Sequence, residues 1–319
     1  MTSKAQNLLN EKICVVIPTF RRSDGVRAAI ESLMLQTIIN PNLKILVLDN
    51  NPEPIEQDSI QDLSAKFDHH IDYIHEPNPG VSNARNTAME AVQDYRYIAF
   101  LDDDMCAGPD WLSSLISTSQ AYSAGLVFGP TEAEMPNHDD PRNRYMRPFF
   151  ERLIDKKEDG LIDVTLGMGG CLLDLNYCQL PTPFFNPSLN EHGGEDDIFF
   201  DHLKLTGTRV AWSVNAVSYE IVPESRTTPE YIWKRNFGYG QGPARIQASR
   251  GIKGLAGILY FMTTGLLQLV VFLPQLLIRK VFNAPSYTKY QALTARAVGK
   301  IFWHDKFRPV LYGAAALKD

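Results

Sequence analysis

Three consecutive carboxylates, Asp102, Asp103 and Asp104, follow the apolar segment YIAFL at residues 97–101. Carboxylates this close repel one another in a partly dry cleft, so the group requires a positive partner, and a hard divalent cation is the simplest one. No cluster of His and Cys residues accompanies the acids, which favours Mn²⁺ or Mg²⁺ over softer metals. A solvated turn is the weaker interpretation, because the acids come directly after a strand-like segment.

A second acidic group, Glu195, Asp196 and Asp197, lies between the pair Gly193-Gly194 and the apolar residues 198–200. This pattern predicts the first turn of a helix, where the helix dipole stabilises negative charge. The dipole alone explains the acids structurally. A carboxylate in this position is also suited to take a proton from a hydroxyl group.

The elements that must position these acids alternate in type. The segments that predict strands cover residues 13–17, 43–48, 72–75 and 97–101, and helical patterns start near Ser23, Pro79 and Pro109, with Pro109 in the first turn of its helix. Strands that alternate with helices of this length predict an α/β fold with a mostly parallel sheet covered on both faces. Ligands of such sheets bind at the carboxyl ends of the strands, where Thr19, Arg21 and Asp49 precede the acidic triplet.

The alternation weakens after about residue 125. Residues 130–147 predict a polar loop, and residues 163–173 predict a pair of short strands around glycines whose backbone allows close approach of a ligand. We expect a large domain at residues 1–250, with halves at about 12–125 and about 126–250, followed by a C-terminal region at 251–319.

Residues 255–278 contain no charged side chain and are long enough to cross a bilayer core. The chain beyond them, residues 279–319, carries eight Lys and Arg against two Asp and Glu. A single span would export this basic tail, against the positive-inside tendency. A monotopic or re-entrant helix pair, broken near Pro274 and resting on anionic headgroups, is therefore favoured over a span. A helical hairpin buried inside a soluble protein or in a dimer interface is the third possibility.

Overall charge and cysteine usage narrow the functional class. The 319 residues have a net charge of −6, which argues against a nucleic-acid-binding protein because such proteins need a basic face. The four cysteines show no metal-site or redox spacing, as expected of reduced thiols in a cytosol. Residues 1–12 are polar and lack a signal peptide, so we expect the catalytic part to face the cytoplasm.

Five segments occur in an order that resembles the family-two, GT-A-fold inverting glycosyltransferases, including bacterial enzymes of exopolysaccharide and cell-surface glycan synthesis. They are VVIPTFRR, VLDNN, PGVSNARNTAM, YIAFLDDDMCAGPDWL and GGEDDIFFDHLKLTG, within residues 12–245. The resemblance implies a nucleotide-diphosphate sugar as donor, with a UDP-sugar expected, and a bound Mn²⁺ or Mg²⁺. It makes residues 1–250 the catalytic domain, with the nucleotide-sugar half at about 12–125 and the acceptor half at about 126–250.

The resemblance also implies roles for single residues on the donor side. The nucleotide-binding residues would be Pro18, Thr19, Arg21, Asp49, Arg85, Asp102 and Asp103. Within this set Asp49 would accept a hydrogen bond from the base, and Arg85 would contact the nucleotide. Asp102 and Asp104 match the outer acids of the family's D-x-D motif, one near the ribose and one on the metal that bridges the phosphates.

On the acceptor side, the resemblance makes Asp196 the catalytic base, with Glu195 beside it. Glu195 or Asp197 would take that role if the local register differed. The residues expected at the donor sugar or acceptor are Gly169, Gly170, Cys171, Asp197, Arg226 and Arg235. Many relatives have a polar residue where Cys171 stands, and a metal-binding His near residues 217–220, where Glu220 is the available oxygen ligand.

The expected reaction is a metal-assisted single displacement that moves a sugar to a hydroxyl of a glycan or polyprenyl-diphosphate-linked acceptor. The expected location is the cytoplasmic face of the bacterial inner membrane, with residues 255–278 and the basic tail on its lipids. A non-catalytic nucleotide-sugar-binding membrane scaffold is the alternative. A sugar nucleotidyltransferase is less favoured, because PTFRRSDG is a poor match to a Gly-rich triphosphate loop with a lysine.

Overall fold

The computed structural model describes residues 11–37, 42–67, 71–190, 193–248 and 250–309. Its internal contacts divide these residues into two compact units, the first comprising residues up to 133 and 151–221, and the second comprising residues 134–150 and 222 onwards. Residues 222–250, expected in the catalytic domain, therefore belong to the second unit. The reason is that the long helix in this segment packs on the C-terminal helices.

The first unit is built on an eight-stranded sheet of order β3-β2-β1-β4-β9-β6-β10-β8, and β5, β11 and β7 form a smaller sheet. The strands are β1 (Ile13–Thr19), β2 (Leu43–Asp49), β3 (Ile71–His75), β4 (Tyr97–Phe100), β5 (Met105–Ala107), β6 (Leu126–Phe128), β7 (Thr131–Glu134), β8 (Gly160–Leu161), β9 (Cys171–Asp174), β10 (Val210–Trp212) and β11 (Ser218–Ile221). β3, β2, β1 and β4 are parallel neighbours, whereas β9 runs antiparallel to both β4 and β6. The predicted α/β fold with a mostly parallel sheet is confirmed.

The helices are α1 (Ser23–Met34), α2 (Gln57–Lys66), α3 (Val81–Ala91), α4 (Trp111–Tyr122), α5 (Asn143–Met146), α6 (Glu195–Leu205), α7 (Pro229–Ala248), α8 (Leu255–Val281) and α9 (Tyr287–Ile301). Helices α5 and α7–α9 belong to the second unit. The helices of the first unit cover both faces of its large sheet. Along β1, Val15 packs in one core cluster with α1 and α4, and Val16 packs in the other with α3 and α6. Side chains alternate between the faces of a strand, so β1 is buried on both sides.

Two local predictions in the first unit are wrong. Helix α4 begins at Trp111, so Pro109 precedes the helix instead of lying in its first turn. Residues 163–173 do not form a pair of neighbouring strands, because β9 begins at Cys171 and inserts between β4 and β6. The local glycine pattern resembles a hairpin turn, but the actual pairing partners are distant in sequence.

In the second unit, α8 is one continuous helix of 27 residues that includes Pro274. The predicted break at Pro274 is therefore wrong, and the chain turns only after Val281. Contacts of α8 with α9 lie on both sides of the proline, at Gly265 and at Arg279, and they hold the helix continuous. Among the described residues, this is the one helix long and apolar enough to cross a membrane by length and composition. Only 11% of its most apolar window is buried, so a hairpin buried inside this chain is also wrong, whereas burial in a dimer interface stays a prediction.

Candidate functional site

The middle acid of the triplet, Asp103, joins the end of β1 to the loop after β4. Its Oδ2 accepts hydrogen bonds from Thr19 Oγ1 at 3.0 Å and from the Phe20 N–H at 3.3 Å. Its Oδ1 accepts from Arg22 Nη1 at 2.7 Å. Burial raises the pKa of Asp103 to about 6, although the Arg22 guanidinium opposes this shift. Asp103 therefore fixes the two loops to each other.

Arg22 is the cation that the triplet requires, and sequence reasoning did not identify it. The same Nη1 lies 2.8 Å from Asp104 Oδ2, so one guanidinium bridges two neighbouring carboxylates. The predicted Arg21 is exposed, with a left-handed φ of 58° and its guanidinium over the Phe20 ring. This local turn directs Arg22 to the acids. The pair of arginines after β1 was the available signal, and it did not reveal which of them faces the site.

Asp102 is the centre of the candidate site. Its side chain is 32% exposed, and its Oδ1 lies 3.9 Å from Arg85 Nη2. Burial raises the pKa of Asp102, Arg85 opposes the shift, and Asp104, Arg152 and Asp196 also act on it electrostatically. The structure therefore brings the predicted residues of β4, α3 and α6 together around one carboxylate.

Arg85 on α3 also pairs with Glu195 in the first turn of α6. Both side chains are buried, with 8% and 5% of their surfaces exposed. Burial raises the pKa of Glu195 to about 7, and the neighbouring Arg85 favours its charged form. Arg85 thus connects Glu195 to Asp102, and Glu195 is too enclosed to meet an acceptor directly.

Helix α6 begins at Glu195, directly after Gly194 with φ of 85°, so the predicted acidic helix start is confirmed. Asp196 is partly exposed and Asp197 is exposed. The Asp197 N–H donates to Asp196 Oδ1 at 3.0 Å, which restricts the orientation of this carboxylate. Of the three acids, Asp196 is accessible and also interacts electrostatically with Asp102.

Asp49, at the end of β2, is completely buried. Its Oδ1 accepts from the N–H and Nδ2 of Asn51 at 3.0 and 2.6 Å, and its Oδ2 accepts from the Glu56 N–H at 3.2 Å and from Tyr73 Oη at 2.8 Å. Pro18 lies on β1 opposite Leu48 of β2. The predicted contact of Asp49 with a nucleotide base requires one of these donors to be displaced.

The glycine loop before β9 lies against Asp102. A Cβ atom at Gly169 would lie 2.2 Å from Asp102 Oδ2, and Gly170 has a φ of 88° and donates its N–H to the Phe100 carbonyl at 2.7 Å. Cys171, predicted among the sugar contacts, is instead buried in the core with its Sγ 3.5 Å from Met168 Sδ. Cys171 is the first residue of β9, paired with Phe100 of β4 and Phe128 of β6, and its side chain packs in the core cluster that contains both rings.

Replacing Gly169 with Ala is expected to displace the Asp102 carboxylate and to lower kcat/KM on the order of 10²-fold, because misplacement of a site group by about 1 Å has effects of this size. Circular dichroism is expected to show an unchanged fold. Gly242→Ala is the matched control, because a Cβ there meets nothing within 4 Å. Equal values of kcat/KM for Gly169→Ala and Gly242→Ala would contradict the prediction that the close contact between Gly169 and Asp102 positions this carboxylate.

Glu220, considered as a metal ligand, lies on β11 with its Oε2 3.5 Å from Arg152 Nη2. The same Nη2 is 3.2 Å from Met105 Sδ, and sequence reasoning did not identify Arg152. Within the described ranges, no group of three or more His, Cys, Asp and Glu side chains is arranged to hold a metal. Asp102 and Asp104 nevertheless fit a hard cation, since both are partly exposed oxygen donors and Mg²⁺ completes its shell with phosphates and water.

The predicted residues Arg226 and Arg235 belong to the second unit. Their guanidinium groups lie 5.9 and 6.0 Å from the centre of the Tyr231 ring, and Arg235 is also 5.2 Å from the Tyr239 ring. The structure therefore groups the two arginines around one aromatic face of α7. Their contact with an acceptor stays a prediction.

Comparison with known sequences decides the family. The profile described as Glycosyl transferase family 2 matches residues 14–176, just over half of the chain. The chain belongs to glycosyl transferase family 2. Its match includes β1, the acidic triplet and β9, which are the elements that build the site around Asp102. The predicted family and its enzyme class, a glycosyltransferase, are thus confirmed.

This family-2 glycosyltransferase is similar over most of its length to the succinoglycan biosynthesis protein ExoM of Rhizobium meliloti (strain 1021). The two are 29% identical over 240 residues, which cover 75% of this chain and 76% of ExoM. The succinoglycan biosynthesis protein ExoW of the same strain is 34% identical over 120 residues, or 37% of each chain.

Solved structures show the same fold at low sequence identity. A mannosyltransferase from Pyrobaculum calidifontis in complex with GDP-Man and Mn²⁺ aligns with a TM-score of 0.59 at 13% identity, over 94% of this glycosyltransferase and 93% of that chain. TarS residues 1–349 of S. aureus in complex with UDP-GlcNAc aligns with a TM-score of 0.51 at 12% identity, over 89% and 90% of the two chains. The predicted GT-A fold is confirmed.

Proposed function

We propose that this glycosyltransferase moves a sugar from a UDP-sugar to a hydroxyl group of a glycan or lipid-linked acceptor, with inversion at the anomeric carbon. The observation that carries the proposal is the partly exposed Asp102, which adjoins the acids of the triplet, lies 3.9 Å from Arg85 and interacts electrostatically with Asp196. This arrangement offers oxygen ligands, a cation and a candidate base. A single in-line displacement needs all three.

On the donor side, Asp102 and Asp104 would hold Mn²⁺ or Mg²⁺ through their carboxylate oxygens. A divalent cation there offsets the negative charge of the leaving diphosphate. Arg22 and Arg85 add fixed positive charge at the same edge of the sheet, since each contacts an acid of the triplet. Solved relatives in complex with GDP-Man and Mn²⁺ or with UDP-GlcNAc support a nucleotide-sugar donor.

On the acceptor side, Asp196 would accept the proton of the attacking hydroxyl. A positioned carboxylate base accelerates such a step by about 10²- to 10⁴-fold. Protonation of the leaving diphosphate is not required, so one base suffices. The hydrogen bond from the Asp197 N–H would keep the Asp196 carboxylate oriented between turnovers.

The acceptor would be a glycan on a polyprenyl-diphosphate carrier, at the cytoplasmic face of the bacterial inner membrane. Two observations support this location. The relatives ExoM and ExoW are named for succinoglycan biosynthesis, and α8 is long and apolar enough to associate with a membrane. Membrane attachment would hold the enzyme where a lipid-linked acceptor is available.

Calorimetric titration of UDP, GDP and dTDP into the purified protein tests the donor site. We expect one diphosphate, UDP, to bind in the presence of Mn²⁺, and binding to fall at least tenfold with a chelator or in Asp104→Ala. The reason is that one carboxylate ligand and its cation would be missing from the phosphate site. Asp110→Ala is the control, because Asp110 is an exposed acid outside the site.

Two results would overturn the donor proposal. Tight binding of GDP or dTDP with weak binding of UDP would exclude a UDP-sugar. Equal binding with and without Mn²⁺, unchanged in Asp104→Ala, would exclude the proposed metal site while leaving sugar transfer to be measured separately.

A further inference from the structure

We infer that α8 lies parallel to the plane of an anionic bilayer, with its outer face at the boundary between headgroups and acyl chains, and does not cross the membrane. This inference rests on the membrane association proposed above and specifies its geometry. It follows from the outer face of α8, from the helix packed on its inner face, and from the charge of the second unit.

The outer face of α8 is apolar along its whole length of about 40 Å. The large apolar side chains that are more than half exposed are Leu255, Leu259, Tyr260, Leu266, Leu267, Val270, Val271, Leu277, Ile278 and Val281. Monomeric soluble proteins rarely expose a continuous apolar surface of this extent. A partner with an apolar surface is therefore required.

The inner face of α8 packs on α9, which runs antiparallel to it. A Cβ at Gly265 would lie 2.8 Å from the Ala297 carbonyl oxygen, and toward the other end Arg279 lies 4.1 Å from the Tyr290 ring. At the N-terminal end, Gly257 is close to Gln247 of α7. Protein therefore covers one side of α8 from end to end, as expected for a helix that rests on a surface.

A spanning orientation is excluded by what α9 would carry into the membrane. Lys300 Nζ donates to Gln268 Oε1 at 2.9 Å, and Gln268 is the central residue of α8. If α8 crossed the bilayer, this ammonium would lie at the bilayer centre, where a charged side chain is strongly disfavoured. Arg296, also on α9, would then lie inside the membrane as well. An in-plane helix keeps both cations on the protein side.

The charge of the second unit identifies the partner as an anionic lipid surface. Its residues include sixteen Lys and Arg but only six Asp and Glu. Exposed cations lie before and after α8, at Arg250, Lys253, Lys280 and Lys289. A second copy of the same surface would bring like charges together, whereas anionic headgroups attract each Lys and Arg near the surface.

Flotation of the full-length protein with lipid vesicles tests for the partner. We expect binding to vesicles that contain phosphatidylglycerol, much weaker binding to phosphatidylcholine alone, and loss of binding at high salt. Val270→Asp is expected to weaken vesicle binding about tenfold or more, because it replaces an apolar contact with the acyl chains by a charge. Leu35→Asp is the matched control, since Leu35 is 76% exposed in the first unit and Val270 is 74% exposed.

Depth measurements distinguish an in-plane helix from a span. Tryptophan is introduced singly at Leu259, Val270 or Val281, and its quenching by lipids brominated near the headgroup or near the chain end is compared with that of the parent protein. We expect the same shallow depth at all three positions. Deep quenching at Val270 with shallow quenching at the other two would show a span and overturn the inference.

Absence of vesicle binding would overturn the membrane association itself. If, in that case, the protein were a dimer that Val270→Asp converts to a monomer, the outer face of α8 would be an interface between copies. Neither result bears on sugar transfer to a soluble acceptor, so the reaction proposed above is tested independently.

Discussion

Replacing Asp196 with Asn is expected to slow sugar transfer by about 10²- to 10⁴-fold, while the affinity for UDP with Mn²⁺ stays close to that of the parent protein. The amide has nearly the same shape as the carboxylate, but it does not accept a proton from the acceptor hydroxyl. Asp196 is partly exposed and near Asp102, so a base there would act next to the donor. Release of UDP under saturating donor and acceptor measures the effect.

Asp201→Asn is the matched control for this prediction, because Asp201 is an exposed acid on the same helix, α6. Its rate is expected to equal that of the parent protein. Glu195→Gln and Asp197→Asn test the neighbouring acids. A loss of rate in either that exceeds the loss in Asp196→Asn, with UDP binding retained, would move the base to that residue.

Replacing Arg85 with Met is expected to lower the free energy of unfolding by about 3–5 kcal/mol. The change leaves the carboxylate of Glu195 buried without the cation that now pairs with it. The size of the effect follows from burial, because both partners are almost completely removed from water. Urea denaturation followed by tryptophan fluorescence measures the loss.

The loss in Arg85→Met is expected to depend on pH. Burial raises the pKa of Glu195 to about 7 in the folded protein, and removal of Arg85 raises this pKa further. A carboxyl group with a raised pKa binds its proton more tightly when folded, so it reduces stability as pH rises through its folded pKa. The deficit should therefore be small near about pH 5.5 and largest above about pH 8.

A double variant, Arg85→Met with Glu195→Leu, distinguishes the contribution of the Arg85–Glu195 ion pair to stability from that of the contact between Arg85 and Asp102. Replacement of both charges by apolar side chains is expected to restore most of the lost stability, because no uncompensated charge remains. The transfer activity of the double variant should stay low, since it has no guanidinium group beside Asp102. A double variant as unstable as the single one would show that Arg85 stabilises the protein through Asp102 and not through Glu195.

Much of the site was predictable because it lies where strands end. The β1, β2 and β4 segments are strongly apolar and short, and the parallel pairing of β1 with both neighbours brings Thr19, Asp49 and Asp102 to one edge. The acidic start of α6 was also predictable, since two glycines and an apolar face surround it. These signals are local, and local patterns determine where elements begin and end.

The contacts that complete the site were not predictable, because they join residues distant in sequence. Arg22 and Asp104 are 82 positions apart, and the pair Arg85 and Glu195 is 110 apart. Arg152 lies outside every motif, and its partner Glu220 lies far along the chain on β11. The continuity of α8 through Pro274 likewise depends on packing with α9, which the α8 sequence does not encode.

The place of β9 in the sheet determines how the chain can be divided. This strand is late in the sequence, yet it pairs with β4 on one side and β6 on the other. A fragment ending before it, such as residues 11–133, would leave facing edges of β4 and β6 unpaired, and open strand edges promote aggregation. Residues 11–133 are therefore not an autonomous folding module, and chimaeras with related enzymes should exchange β1 to β9 as one block.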